Sequence, residues 1–360
     1  MAARLVAAAV TLAIAGACRG ERRSAAAGHV AAPDTAARTG ESALFGGPLG
    51  DFETEVADHA RMRALLQPHF TPGRLRALAP RVAALTTDTL NELAEQGPPA
   101  DLHTGLALPL PISVICELLG VPYRDRDQFR AWAEDAGNVR DRARSERGLA
   151  ELFGYGRSLV ERKRAHPGDD VVSRLCATDG VSDDEAATMS MFLLFAGHET
   201  TVVQIGLGTL LLLTNRDQWQ ALLENPALIP NAVEELLRAT AAGGGVGGVP
   251  RYARTDFDIE GVSVHTSDLV LLDIGSANHD PEVFGHPERV DVARKQPTHL
   301  TFGYGARYCI GAPLARIELR TVFAQLIPRF PSMHLTVDPA LLPTRGDALA
   351  GGLVELPVSW

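Results

Sequence analysis

The chain has 360 residues, 46% of them hydrophobic, with 34 Lys and Arg against 44 Asp and Glu for a net charge of −10. That length can bury a large core, and no Ser/Gly/Pro-rich linker divides it. The acidic balance excludes a general nucleic-acid binder, because phosphate contacts need clustered Lys and Arg. Four cysteines, Cys18, Cys116, Cys176 and Cys309, show no metal-type pairing. They suit a reducing cytoplasm.

At the amino terminus, Arg4 and the apolar run Val6 to Ala17 ahead of Cys18 have the texture of a signal peptide, but the run is too short to span a bilayer. A misplaced start explains it equally well, so residues 1–28 are unassigned and 29–360 form one domain. His29 to Gly50 is rich in Ala, Gly, Pro and Thr and reads as loop. His59 and Arg63, four apart, share a helical face that clamps an anion or simply meets solvent. Leu102 to Gly120 and Asp125 to Trp132 read as helices parted by the stop signal Gly120-Val-Pro122. A charged helix follows from Arg140 to Arg164. Ser182 with Glu185 three residues on forms a capping box for an apolar helix from about Asp183 to Leu213. Apolar on nearly all sides, that helix belongs in the centre of the molecule.

Within it, Ala196-Gly197-His198-Glu199-Thr200-Thr201 sets small residues beside an acid and an alcohol, which are costly in a buried segment unless partnered. Either the pair does chemistry, or Thr200 bonds back to its own helix and Glu199 is structurally paired. A helix over Ala227 to Ala239 carries Glu235-Leu-Leu-Arg238, an i,i+3 pairing that is commonplace by itself. Ala241 to Gly248 is almost all Gly and Ala and so is loop. After Arg251, the alternating runs Asp258 to Val264 and Asp268 to Leu272 read as short strands. The stretch Phe302-Gly303-Tyr-Gly-Ala-Arg307-Tyr-Cys309-Ile-Gly311 then runs into a helix, Leu314 to Phe330. Glycines allow close backbone approach, and amides at a helix start stabilise a thiolate. Cys309 is thus an anionic ligand or a small hydrophobe in a turn.

These motifs, in this order and at these separations, resemble the cytochrome P-450 family, in its soluble bacterial, actinomycete branch. The resemblance covers roughly residues 30 to 360 and implies a mainly α fold with small β-sheets, its amino-terminal sheet shortened. It makes Cys309 the thiolate ligand of haem b, whose iron activates dioxygen. Phe302, Gly303 and Gly311 shape the ligand loop, and His59, Arg63, Arg251 and Arg307 face the propionates. Ala196 and Gly197 leave room for dioxygen, Thr200 hydrogen-bonds it, and Glu199 relays protons. Glu235 and Arg238 maintain the fold, with Arg289 as a third partner. The family also implies ferredoxin and ferredoxin reductase delivering electrons from NAD(P)H, with Arg61 and Arg316 attracting the ferredoxin. The implied enzyme is a cytoplasmic, monomeric monooxygenase of a small hydrophobic secondary metabolite. Oxidative coupling or rearrangement without oxygen insertion is the alternative, and a haem-binding or inactive paralogue a further one.

Overall fold

The computed structural model describes residues 53–240, 249–295 and 298–360. The signal-like segment, Cys18, the His29 to Gly50 loop and the Ala241 to Gly248 loop lie outside the described residues. Helices dominate. They are α1 (Glu55–Leu66), α2 (Pro72–Gln96), α3 (Pro109–Leu119), α4 (Arg126–Ala136), α5 (Arg142–Ala165), α6 (Val171–Cys176), α7 (Asp183–Thr214), α8 (Arg216–Glu224), α9 (Ile229–Thr240), α10 (Ile274–Asn278) and α11 (Ala312–Arg329).

Helix α7, 32 residues long, is the axis of the fold. Its first turn is fixed by Ser182, whose hydroxyl accepts the Glu185 amide at 3.2 Å, and by the acids Asp183, Asp184 and Glu185, which favour the positive end of the helix dipole. Burial on most sides follows from its neighbours, since α3, α5, α9 and α11 all pack against it. Close approach needs small residues: a Cβ on Gly156 of α5 would stand 2.7 Å from Met191 of α7. No helix among the described residues is long and apolar enough to cross a membrane.

Among the described residues, three small sheets accompany this core. Strands β1 (Ala100–Asp101), β7 (Pro357–Ser359) and β6 (His334–Leu335) pair in the order β1-β7-β6. Strand β2 (Val249–Tyr252), which the sequence did not announce, pairs antiparallel with β5 (Leu269–Leu272). The alternating run Asp258 to Val264 is not one strand. It folds on itself as β3 (Phe257–Ile259) and β4 (Val262–Val264), because Glu260 and Gly261 take left-handed φ of 47° and 81° and reverse the chain. Nor is Leu102 to Gly120 one helix. A wide turn over His103–Ala107 precedes α3, which starts at Pro109, a residue suited to a first helical turn and not to an interior.

Candidate active site

The cysteine loop is built by two left-handed glycines, Gly303 and Gly305, at φ 73° and 72°. The Cys309 amide donates to the Phe302 carbonyl at 2.9 Å and closes it. Gly311 stands at the start of α11, and its amide and that of Ala312 donate to the Cys309 sulfur. Cys309 presents surface to solvent on one side while protein crowds its sulfur on the other. Burial therefore pushes the thiol above its ordinary range, against the pull of the two amides and of Arg63 and Arg316. In the protein alone the balance of these effects favours the thiol over the thiolate. A metal ion bound to the sulfur would remove that proton, as coordination does for any thiol. A sulfur with two amide donors, open on one side, would suit a haem iron as a ligand.

Around the loop, Arg63 reaches from α1 to donate to the Tyr308 carbonyl at 2.5 Å, with His59 one turn away and half-buried. Arg307 pairs with Glu55, which also takes Arg254 at 2.9 Å. A propionate would compete with Glu55 for Arg307. Arg251 lies on β2, where burial lowers its affinity for the proton. Phe302 stacks near Tyr308, ring centroids 6.3 Å apart. Arg316 is no free docking charge, because it holds the Glu234 carboxylate at 2.8 Å. Arg61 is likewise engaged, by Glu185 and the Gly180 carbonyl.

On α7, Phe192, Ala196 and Thr200 are exposed at four-residue spacing in a helix otherwise largely buried. One stripe of the central helix thus borders open space. Thr200 donates its hydroxyl to the Ala196 carbonyl at 2.9 Å, the bond back to its own helix. Gly197 faces elsewhere: a Cβ there would stand 2.8 Å from the Ile115 Cδ1, so its smallness serves the packing of α7 on α3 rather than leaving a gap for dioxygen. Ala196 supplies the small residue on the open stripe.

Glu199 turns to the other side of α7. There it helps line a cavity of about 460 Å³ with His198, Arg130, Glu134, Arg345 and Asp347. Arg345 and Asp347 reach it because the tail is tied to the end of α4: the Val139 amide donates to the Asp347 carbonyl at 2.8 Å and the Leu349 amide to the Gly137 carbonyl at 2.9 Å. Burial raises the Glu199 carboxyl to about 7, with Arg345, 3.8 Å away, opposing and Glu134 and Asp347 assisting. The group therefore exchanges a proton near neutral pH. The fold holds the proton more tightly than the unfolded chain does, so the ionised carboxylate costs stability as pH rises from about 4.5 through 7. Glu199→Gln should gain on the wild type over that window, by at most roughly 3 kcal/mol. Urea unfolding at pH 4.5 and pH 8 checks this, and a constant difference would contradict it.

Glu235 and Arg238 are fully buried and joined by two bonds of 2.8 Å. The third partner is Arg294, whose Nε donates to Glu235 at 2.9 Å, and not Arg289, which offers only its carbonyl. Arg238 also donates to the Asn278 carbonyl at 2.9 Å, and the Asn278 side chain accepts the Leu300 amide at 2.7 Å just before the cysteine loop. The network thus ties α9 to the entry of that loop. Glu234, Arg294 and Arg345 were missed in the sequence. Only Glu234 carried a signal, as the neighbour of Glu235.

Comparison with known proteins shows the family. The family model described as Cytochrome P-450 matches residues 161–344. Pentalenolactone synthase of Streptomyces exfoliatus is 40% identical over 333 residues, 91% of this chain and 83% of that protein. The crystal structure of the mycinamicin VIII C21 methyl hydroxylase from Micromonospora griseorubida superposes with a TM-score of 0.80 at 34% identity, covering 84% of this chain and 78% of that one. A P-450 with biaryl coupling reactivity superposes with a TM-score of 0.78 at 36% identity over 84% and 77% of the two chains. With the motifs, the fold and these relatives in agreement, the chain belongs to the cytochrome P-450 family of haem-thiolate, oxygen-incorporating oxidoreductases.

Proposed function

We propose that this chain hydroxylates or otherwise oxidises a small, largely apolar secondary metabolite in the cytoplasm, with electrons passed from NAD(P)H through a ferredoxin reductase and a ferredoxin. The observation that carries the reading is the division of labour on α7: Thr200 on the exposed stripe and Glu199 on the polar cavity behind it. Haem, when bound, would supply the dioxygen-activating chemistry that a cysteine thiolate ligand favours. Cys309 would hold the iron, and Arg63, His59, Arg251 and Arg307 would be the candidates for its propionates.

Thr200 places a hydroxyl beside the open stripe while Glu199, poised near pH 7, takes protons from the cavity side and passes them on. One structural relative is bound to mycinamicin VIII in its crystal, which supports the substrate class. Thr200→Ala should divert most reducing equivalents into hydrogen peroxide while substrate still binds. The ratio of peroxide to NAD(P)H consumed measures it, and tight coupling in the variant would overturn the assignment. The likeness to a biaryl-coupling P-450 favours a second reading, oxidative coupling. Product mass separates the two, because coupling adds no oxygen atom.

A further inference from the structure

Glu234 stands one residue before the buried Glu235, yet its carboxylate serves a different set of partners. Arg316 on α11 donates to it three times, from Nε at 2.8 and 3.1 Å and from Nη2 at 2.8 Å. Arg320 adds a bond at 3.3 Å, and the His299 Nε2 lies 3.3 Å away. The same Arg316 guanidinium donates to the Tyr308 hydroxyl at 3.1 Å and sits 4.6 Å from the centre of the Phe302 ring. Those two aromatic residues bracket the ligand loop: Tyr308 precedes Cys309, and the Phe302 carbonyl accepts the Cys309 amide. One guanidinium therefore grips both arms of the loop, and one carboxylate from α9 grips the guanidinium.

We propose that Glu234 is a positioning residue for the iron ligand. It fixes Arg316, and through Arg316 the Phe302 and Tyr308 arms around Cys309, and its charge offsets part of the pull that this guanidinium exerts on the sulfur. The adjacent acids divide the work. Glu235 secures the chain entering the loop, and Glu234 secures the loop itself to α9 and α11. The inference rests on the reading of Cys309 as the haem ligand, and it makes Arg316 an electrostatic neighbour of that ligand rather than a docking site for a ferredoxin.

The test uses the haem-loaded full chain. In Glu234→Gln the uncancelled Arg316 cation favours the electron-rich ferrous state, so the ferric/ferrous potential moves positive. The looser loop also lets the reduced carbon-monoxide complex lose its red-shifted Soret band several-fold faster on mild warming. Glu234→Gln combined with Arg316→Gln removes both charges and returns the potential toward that of the wild type, which a purely structural role for Glu234 would not do. If Glu234→Gln fails to load haem, Arg316→Gln alone reads the same balance with the opposite sign, a potential moved negative. A potential unchanged in both single variants, or shifted equally in Glu234→Gln and the double variant, would overturn the proposal. A wild-type chain that binds haem without the red-shifted band sinks the Cys309 reading instead.

Discussion

Cys309→Ser should abolish the red-shifted Soret band of the reduced carbon-monoxide complex and, with it, all monooxygenase turnover. A serine hydroxyl fits the same loop and accepts the same Gly311 and Ala312 amides, so the fold of the loop survives. What disappears is the soft anionic sulfur whose electron push the chemistry needs. Because the loop is held by the backbone bond from the Cys309 amide to the Phe302 carbonyl and by Arg316 rather than by the Cys309 side chain, thermal unfolding of the apoprotein should change by less than about 1 kcal/mol. Loss of the band with apoprotein stability retained is the expected pair of results. A variant that keeps the band would end the assignment of Cys309.

Glu235→Ala should be the most damaging single change to the fold. The substitution leaves Arg238, with no exposed side-chain surface, and Arg294, 12% exposed, without their carboxylate, and it strips the Asp291 amide of its acceptor. Removing one partner of a buried ion pair costs about 3–5 kcal/mol. Against a total stability of about 5–15 kcal/mol, that leaves little or no folded protein able to take up haem. Circular dichroism on heating and the yield of haem-loaded protein both report it. A melting transition within a few degrees of the wild type would show that the network is redundant.

Several parts of this architecture were legible in the sequence because they depend on neighbours along the chain. The cap at Ser182, the apolar length of α7, the Glu235-Arg238 spacing and the glycines around Cys309 are all short-range patterns with direct physical readings. Others depend on which distant side chain turns inward. Arg289 and Arg294 both follow the same stretch of chain, and only packing decides that Arg294 meets Glu235 while Arg289 contributes a carbonyl. Arg345 reaches Glu199 only because the tail bonds to the end of α4, a register with no sequence signature. Gly197 shows the opposite failure. A glycine between an alanine and an acid suggests space, and the space is filled by Ile115 from a neighbouring helix.

His198 adds a pH dependence that no motif announced. Its ring is buried and both nitrogens lack a hydrogen-bond partner among the described residues. Burial, with Arg130 and Arg345, lowers its proton affinity to about 3, so it stays neutral in the fold. The unfolded chain protonates this imidazole below about pH 6.5 and the folded chain does not, so stability falls as pH drops from there toward 3. His198→Phe should flatten the acid limb of a pH-stability profile, and an unchanged limb would show that the cavity hydrates the ring enough to charge it.

The central claim is that this chain holds haem through Cys309. The most direct measurement is the difference spectrum of the purified, haem-reconstituted chain, reduced with dithionite before and after carbon monoxide. A red-shifted Soret band at one haem per chain is the predicted result. A band at the ordinary position of a histidine-ligated or thiol-ligated haem, or no haem uptake by a folded chain, would contradict it.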